Sequence, residues 1–233
     1  MRIKKFILRI LPFLRLIRNY LNEKKRREAP VQLNDFVMLG SSFFNNPGTL
    51  IESIGKKSSS NLLDAGDFYP LFYNSNPGTL ELLRLLIREA RPNIVIETGV
   101  ANGASTRKIL SSFKEFNLVE SKLYSFDIDP RVASPDLVSS TQFNFVAVSS
   151  PDSFVSSMNE IKTVDLFYHD SDHSYYNQML EYSTAWEMLN PQKGILISDD
   201  INWSNAFLDF CKKVNRVPFL LSDSGKFTGV IFK

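Results

Sequence analysis

The stretch that decides the fold is PNIVIETGVANGAS, residues 92–105. Its apolar run at 94–96 is typical of a strand buried on both faces, and a helical pattern begins at Ala104. Gly99 and Gly103 lie between them, where glycine lets the backbone approach a ligand and a helix N-terminus offers N–H groups to an anion. Glu97, at the end of the strand, suits a cationic or hydroxyl-bearing ligand. An ordinary strand-to-helix turn is the alternative.

The composition predicts one medium-sized folded domain with an appendage. The chain has 233 residues, of which 43% are apolar, enough for a sizeable core. Its one cysteine, Cys211, excludes an intrachain disulfide. Phe207, Phe210 and Val214 lie at helical spacing from it, which favours a buried core position over a nucleophile.

Basic charge is concentrated at the N-terminus. Residues 1–28 contain ten Lys or Arg and two Glu, whereas residues 29–233 contain 17 Lys or Arg and 23 Asp or Glu. The main part of the chain is therefore mildly acidic, and nucleic acid is not expected as its partner.

The same N-terminal segment has an amphipathic pattern that predicts a basic helix over residues 1–28. Charges interrupt it too often for a membrane span, so we expect residues 1–27 to lie on an anionic membrane surface, with the protein cytoplasmic and peripheral on the inner membrane. Two alternatives remain, a stripe packed on the domain or on a second copy in a homo-oligomer, and a cleaved presequence. The stripe consists of Ile3, Ile7, Ile10, Leu14, Ile17 and Leu21.

Residues 29–76 are irregular and rich in aromatic side chains. They read equally as a substrate lid or as a packed N-terminal extension. The pentamer NPGTL occurs twice, at 46–50 and 76–80, and each copy predicts the beginning of a helix.

Residues 77–233 alternate between strand and helix patterns, which predicts an α/β domain with a doubly wound, Rossmann-like, mostly parallel sheet of seven strands. The turn signal at 223–226 predicts a C-terminal antiparallel hairpin. The predicted strands are 94–97, 123–126, 143–148, 164–168, 194–198, 218–221 and 229–232.

Acidic residues follow four of these strands. Glu97, Asp127, Asp170 and the pair Asp199 and Asp200 all fall at carboxyl ends, where ligands bind in parallel sheets. Asp127 is placed to accept the hydroxyls of a ribose. The last three are hard oxygen donors that suit Mg²⁺ or another divalent cation if they converge.

Two histidines flank this acidic set. His173 reads as a metal ligand, as a base or, more simply, as a residue that holds its loop by a hydrogen bond. His169, inside or at the end of its strand, is expected to be structural.

Three segments together resemble the class I S-adenosylmethionine-dependent methyltransferases, and in particular the catechol O-methyltransferase-like and antibiotic-sugar O-methyltransferases. Residues 96–105 resemble the first motif of that family, residues 165–175 (DLFYHDSDHSY) its "DLIFIDGDHSY" pattern, and residues 194–200 (GILISDD) its "GGxLIxDD" strand. The sequence departs from the family at Ala101, Ser171 and Tyr176, where glycine, glycine and glutamate are common.

The resemblance implies roles for individual residues. Glu97, Gly99 and Gly103 line the methionine part of the cofactor, Ser105 binds its carboxylate, Asp127 holds the ribose, and Ser149 or Ser150 lies near the adenine. The implied metal ligands are Asp170, Asp199 and Asp200, and the position of Asp172 is that of the base. With His173 as a second catalytic candidate, the implied site residues are Glu97, Gly99, Gly103, Ser105, Asp127, Ser149, Asp170, Asp172, His173, Asp199 and Asp200.

These patterns predict an O-methyltransferase, assisted by a divalent metal, that acts on a hydroxyl of a sugar, glycan or small metabolite. Two other classes stay open. One is a related α/β enzyme of the same topology, a hydroxylase or hydrolase, and the other is a non-catalytic member that only binds the cofactor.

Overall fold

The computed structural model describes residues 20–54 and 74–233. Most of the predicted amphipathic stripe and the aromatic residues at 68, 69, 72 and 73 lie outside the described residues. Within them, strands and helices alternate as the sequence predicts.

Eight strands form one sheet in the described part of the chain. Each predicted strand from residue 94 onward is present, with bounds shifted by a few residues. The strands are β1 (Ser42–Phe44), β2 (Ile94–Thr98), β3 (Lys122–Asp127), β4 (Phe143–Ala147), β5 (Leu166–His169), β6 (Ile195–Ser198), β7 (Phe219–Asp223) and β8 (Lys226–Phe232).

Helices connect most of these strands. The first, α1, is described over residues 20–28, and a 3-10 turn, Pro130–Val132, follows β3. The other helices are α2 (Leu33–Met38), α3 (Pro47–Ile54), α4 (Pro77–Ala90), α5 (Ala104–Glu115), α6 (Pro135–Val138), α7 (Pro151–Asn159), α8 (Tyr175–Met188) and α9 (Ala206–Val214).

The strand order is β1-β7-β8-β6-β5-β2-β3-β4. Neighbours from β6 to β4 run parallel, and β8 is antiparallel to both β6 and β7. The predicted Rossmann-like class and the antiparallel C-terminal hairpin are therefore confirmed.

The sheet contains one strand more than the seven predicted. Strand β1 pairs in parallel with β7, with Phe43 opposite Leu220. It was missed because three residues carry too little periodicity to stand out from the loops around them. Part of the region predicted as extension or lid thus belongs to the sheet.

Helices cover both faces of the sheet, because side chains alternate between them along each strand. Val95 packs in a core with α3, α4 and α5, including Leu50, Leu83 and Ile109. Its neighbour Ile96 packs in a second core with α2, α7, α8 and α9. Cys211 is fully buried in this second core, as predicted.

Both NPGTL pentamers begin helices, as predicted. Pro47 opens α3 and Pro77 opens α4, where proline costs no hydrogen bond since the first N–H groups of a helix have no intrahelical partner. Among the described residues, no helix is both long and apolar enough to cross a membrane.

Candidate active site

The centre of the site is the point where the chain reverses direction across the sheet. Strand β2 lies between β3 and β5. After β2 the chain adds β3 and β4 on one side of it, and then crosses over to add β5 on the other side. The loops after β2 and β5 diverge from this point, which is where α/β sheets bind ligands. Gly99 has φ +83°, and a Cβ there would overlap the carbonyl oxygen of Asp170. Glycine is required because the two loops touch.

Glu97 is fully buried at the end of β2. Its Oε2 accepts hydrogen bonds from Thr106 (2.7 Å) and Ser125 (2.6 Å), whereas its Oε1 has no donor within residues 20–54 and 74–233. Burial raises the pKa of Glu97 to about 6, although hydrogen bonds from Ser105 and the other two hydroxyls oppose the shift. The second oxygen is thus a buried acceptor that a ligand can satisfy.

Asp127 closes the other side of the glycine turn. Its Oδ2 accepts from the backbone N–H of Val100 (2.8 Å) and its Oδ1 from that of Asp129 (2.9 Å). Each carboxylate oxygen has two lone pairs, so one on each oxygen remains for a further donor. Two acceptors side by side match the paired hydroxyls of a ribose.

The remaining predicted cofactor residues lie at the same end of the sheet. Gly103, with φ +76°, precedes α5, and Ser105 is buried in its first turn. Ser149 follows β4, where its N–H donates to the hydroxyl of Ser153 at the start of α7. All six predicted cofactor residues therefore lie at the carboxyl end of the parallel strands, as their positions in the sequence predict.

Two residues that sequence reasoning missed come from the segment before α4. Ser75 donates to Oδ2 of Asp170 at 2.9 Å, and Asn74 accepts from the side chain of Asn102 at 3.1 Å. Both line a small cavity with the glycine turn and Ser105. No local pattern announces them, since their partners lie at least 28 residues away.

Asp170 follows β5 and is held by hydroxyl groups. Its Oδ2 also accepts from Tyr168 at 3.0 Å. Burial and the neighbouring charges of Asp199 and Asp200 raise the pKa of Asp170 well above its ordinary value.

Asp199 and Asp200 follow β6, the strand next to β5. Oδ1 of Asp199 accepts from Thr228 (2.7 Å) and Thr79 (3.3 Å), and its buried Oδ2 has no partner in the part of the chain that the structure describes. Burial and the charge of Asp200 raise the pKa of Asp199 to about 6. Oδ2 of Asp200 lies 3.2 Å from Nζ of Lys226. Neither aspartate caps the next helix, which begins six residues after Asp200.

The carboxylates of Asp170, Asp199 and Asp200 lie near one another, but they are not arranged as the predicted metal site requires. Throughout residues 20–54 and 74–233, no group of three His, Cys, Asp or Glu side chains is arranged to hold a metal ion. Hydroxyl donors or an ammonium group already engage one oxygen of each carboxylate. The metal ligand set stays a prediction, and this arrangement does not support it.

The two predicted catalytic residues differ in their surroundings. The exposed carboxylate of Asp172 accepts from the N–H and hydroxyl of Ser174 (3.0 and 2.8 Å), which fixes the turn before α8. His173 is mostly buried, its Nε2 lies 3.9 Å from Oδ1 of Asp170, and its ring lies against the exposed indole of Trp203. Burial and the proximity of His169 lower the pKa of His173 to about 3.

His169 belongs to a buried network behind the site. Its Nδ1 lies 2.8 Å from Oε2 of Glu181, which also accepts from Thr98 at 2.6 Å. Burial opposes ionisation of Glu181, but His169 and the hydroxyl donors outweigh it and lower the pKa of Glu181. This network ties β2 and β5 to α8, in keeping with the structural role expected of His169.

Comparison with known proteins agrees with this geometry. A family model described as "Methyltransferase domain" matches residues 96–201, from strand β2 to the end of the Asp199–Asp200 strand. This match agrees with the resemblance to S-adenosylmethionine-dependent methyltransferases noted in the sequence. No curated protein matches the sequence.

Solved structures share the fold at low sequence identity. SAH-bound PaMTH1 from Podospora anserina is 10% identical with a TM-score of 0.55, covering 94% of this chain and 96% of that one. The O-methyltransferase TomG from Streptomyces achromogenes, in complex with SAM, is 12% identical with a TM-score of 0.57, covering 69% and 82%. CalS11, a TDP-rhamnose 3'-O-methyltransferase of calicheamicin biosynthesis, is 14% identical with a TM-score of 0.53, covering 66% and 78%.

Proposed function

We propose that this protein is an S-adenosylmethionine-dependent O-methyltransferase that acts on a hydroxyl of a sugar, glycan or small metabolite. The observation that carries the proposal is the pair of acceptors on either side of the glycine turn. Among the described residues, Glu97 has one buried oxygen without a hydrogen-bond partner, and Asp127 keeps a lone pair on each oxygen. A ligand with an ammonium group and a ribose diol satisfies both.

Bound S-adenosylmethionine supplies an electrophilic methyl group on a sulfonium. Glu97 and the glycine turn would hold its methionine part, Asp127 its ribose, and Ser149 its adenine end. The role of the protein is then to hold the acceptor hydroxyl in line with that methyl, since most of the rate comes from positioning.

His173 is the group we assign to the acceptor hydroxyl. Its Nε2 is buried and has no hydrogen-bond partner among the described residues. Its lowered pKa keeps the ring neutral at pH 7, so Nε2 can accept a hydrogen bond from the hydroxyl and orient it, although the same low pKa makes the ring a weak base. Oδ1 of Asp170 lies 3.9 Å from the same nitrogen. Trp203 offers an apolar surface beside it for a sugar ring or an aromatic acceptor.

Asp172, the base implied by the resemblance, is the alternative. Its carboxylate is engaged with Ser174 and lies exposed at the start of α8, which favours a role in fixing the loop. Metal assistance remains a prediction and enters no step of this mechanism.

The first test is calorimetric titration with S-adenosylhomocysteine, with NAD as the competing dinucleotide. We expect the protein to bind S-adenosylhomocysteine and not NAD. Asp127→Asn should weaken it by about tenfold or more, since hydrogen bonds to a charged group contribute about 1.5–3 kcal/mol. Asp152→Asn is the matched control, because Asp152 follows the adjacent strand β4 on the exposed surface. Failure of the unmodified protein to bind would refute the proposal.

A membrane-surface role for residues 1–27 is the second part of the proposal. Arg26 makes an ion pair with Asp209 (2.6 Å), and the carbonyl of Arg27 accepts from Asn205 N at 2.9 Å. Asn205 closely follows Trp203, so Arg26 and Arg27 lie beside the proposed acceptor side. A protein held this way would present its acceptor site to the membrane, which favours a lipid-linked glycan.

Sedimentation with vesicles tests this role in the full chain. Reversing Arg9, Arg15 and Arg18 to Glu should abolish binding to phosphatidylglycerol vesicles, since basic residues near an anionic surface contribute about 1 kcal/mol each. Reversing the exposed residues Lys114, Lys162 and Lys212 is the charge-matched control and should change binding much less. Equal losses from both sets would argue against an N-terminal membrane contact.

A further inference from the structure

An ammonium group lies among the acidic residues at the end of β6. Lys226 is the first residue of β8, and its Nζ is 3.2 Å from Oδ2 of Asp200. Both side chains are largely shielded, with exposed fractions of 30% for Lys226 and 13% for Asp200. Partial burial acts against the charged amine, but the carboxylates of Asp200 and Asp199 outweigh it and raise the pKa of Lys226.

The backbone fixes this pairing. The N–H of Ile201, next to Asp200, donates to the carbonyl of Phe227, next to Lys226, at 3.0 Å. On the other side of Lys226, Ser224 and Gly225 form the tight turn of the hairpin, with φ values of +52° and +86°. The lysine therefore reaches Asp200 from a neighbouring, hydrogen-bonded backbone and not by a chance extension of a long side chain.

The other two carboxylates are arranged around protein donors in the same way. Thr228, two residues after Lys226 in β8, donates to Asp199 at 2.7 Å, and Ser75 donates to Asp170 at 2.9 Å. Crowded carboxylates repel one another unless a cation lies near them. In the described structure the cation beside them is Lys226, which the three-motif resemblance did not include.

We propose that Lys226 supplies, from within the chain, the positive charge that the resemblance assigns to a divalent metal ion. This rests on the proposed function. Lys226 holds Asp200 at the carboxyl end of β6, on the proposed acceptor side of the site. An ammonium has three N–H donors, so it can hold Asp200 and donate to an acceptor oxygen at the same time. Methyl transfer then requires no added metal.

The proposal also bears on the acceptor. A metal ion orients an acceptor best by binding two of its oxygens at once, whereas an ammonium needs only one oxygen to donate to. A site built on Lys226 therefore accepts a hydroxyl that has no second oxygen beside it.

Binding of Mn²⁺, followed by the electron paramagnetic resonance signal of the free ion, tests the proposal without an acceptor. The unmodified protein should show no binding below millimolar Mn²⁺. Lys226→Met removes the charge and keeps the apolar stem, so Mn²⁺ affinity should rise by about tenfold or more as the carboxylates lose their internal cation. Lys226→Arg, which keeps the charge, should behave like the unmodified protein.

Titration of each variant with S-adenosylhomocysteine separates this proposal from the previous one. The affinity of the Lys226→Met variant for S-adenosylhomocysteine should equal that of the unmodified protein, because the cofactor residues lie on the other side of β5. If Lys226→Met does not fold, Lys226→Gln replaces it, since glutamine keeps N–H donors without the charge. Micromolar Mn²⁺ binding by the unmodified protein, lost in Asp200→Asn and unchanged in the Lys226 variants, would overturn the role of Lys226. Loss of S-adenosylhomocysteine binding in the unmodified protein would instead overturn the methyltransferase proposal.

Discussion

Ser125 of β3 donates a 2.6 Å hydrogen bond across the sheet to Glu97 of β2. Both residues are fully buried, so the carboxylate depends on protein hydroxyl groups for its solvation. Oε1 of Glu97 has no hydrogen-bond donor among the described residues, so the solvation of the carboxylate is incomplete. Burial is therefore the largest cause of the raised pKa of Glu97. A group placed to bind a ligand is thus a source of instability in the ligand-free protein.

Glu97 should make the ligand-free protein less stable as the pH rises. Its folded-state pKa of about 6 lies above the ordinary value of 4.5, so its contribution is fully present below pH 4.5 and is lost as the pH rises through 6. The shift corresponds to about 2 kcal/mol. Urea unfolding at pH 4.5, 6 and 7.5 should show that Glu97→Gln lacks this part of the pH dependence. An identical pH profile in both proteins would contradict the assignment.

Gly99→Ala should be strongly destabilising, by at least about 3 kcal/mol, because it combines a left-handed backbone with a clash against the carbonyl of Asp170. Gly225→Ala is the matched control. Gly225 has a similar φ of +86°, but a Cβ there meets nothing within 4 Å, so only the conformational cost of about 1–2 kcal/mol applies. Thermal or urea unfolding measures both, and equal losses would show that the contact with Asp170 does not matter.

Asp165 should prove structural although it lies in a motif segment. Its Oδ2 accepts from the N–H of Asn93 at 2.7 Å, joining β2 and β5 at their amino ends, far from the site, and Lys193 lies 3.2 Å from Oδ1. Asp165→Asn should cost about 1–3 kcal/mol of stability and leave S-adenosylhomocysteine affinity unchanged. The pKa of Asp165 is lowered by these backbone and Lys193 contacts despite burial, so the stability difference should shrink as the pH falls below about 4.

Asn205→Ala should loosen the N-terminal segment from the domain. The side chain of Asn205 donates to the carbonyls of Arg26 (2.6 Å) and Ala29 (3.0 Å). Trypsin should then cleave faster within residues 24–27, because cleavage requires local opening of the backbone. Gln142→Ala is the control, since Gln142 likewise donates to backbone carbonyls, those of Leu118 and Ser121, at the opposite edge of the sheet. Equal acceleration in both variants would count against a specific attachment.

The parts of the fold that sequence analysis predicted are those with a local physical signal. Short apolar runs bounded by glycine and proline residues predicted the strands from β2 to β8. Because ligands bind at the carboxyl ends of parallel strands, the positions of Glu97, Asp127 and Asp170 after their strands predicted that they lie at one end of the sheet. The resemblance assigns the base to Asp172, yet the D-x-S spacing to Ser174 is also typical of a side chain that accepts hydrogen bonds from its own turn.

The parts that were missed depend on partners far along the chain. Ser75 meets Asp170 across 95 residues, and β1 exists only because β7 offers it an edge. The sequence predicts that Lys226 lies at a hairpin turn. Its role depends on the contact with Asp200, which forms only when β6 and β8 pair. No spacing rule applied to a single sequence reveals such meetings.

The pairing of β1 with β7 has a consequence for how the protein is made. Residues 42–44 are synthesised well before their partners at 219–221, which lie 177 residues further along the sequence (219 − 42). The attachment of residues 26–31 to residues 202–209 imposes the same delay. Long-range pairing of this kind slows folding and leaves early segments exposed during synthesis. Residues 42–44 must therefore wait until residues 219–221 have been made, and loss of the β7–β8 hairpin would leave β1 without a sheet to join.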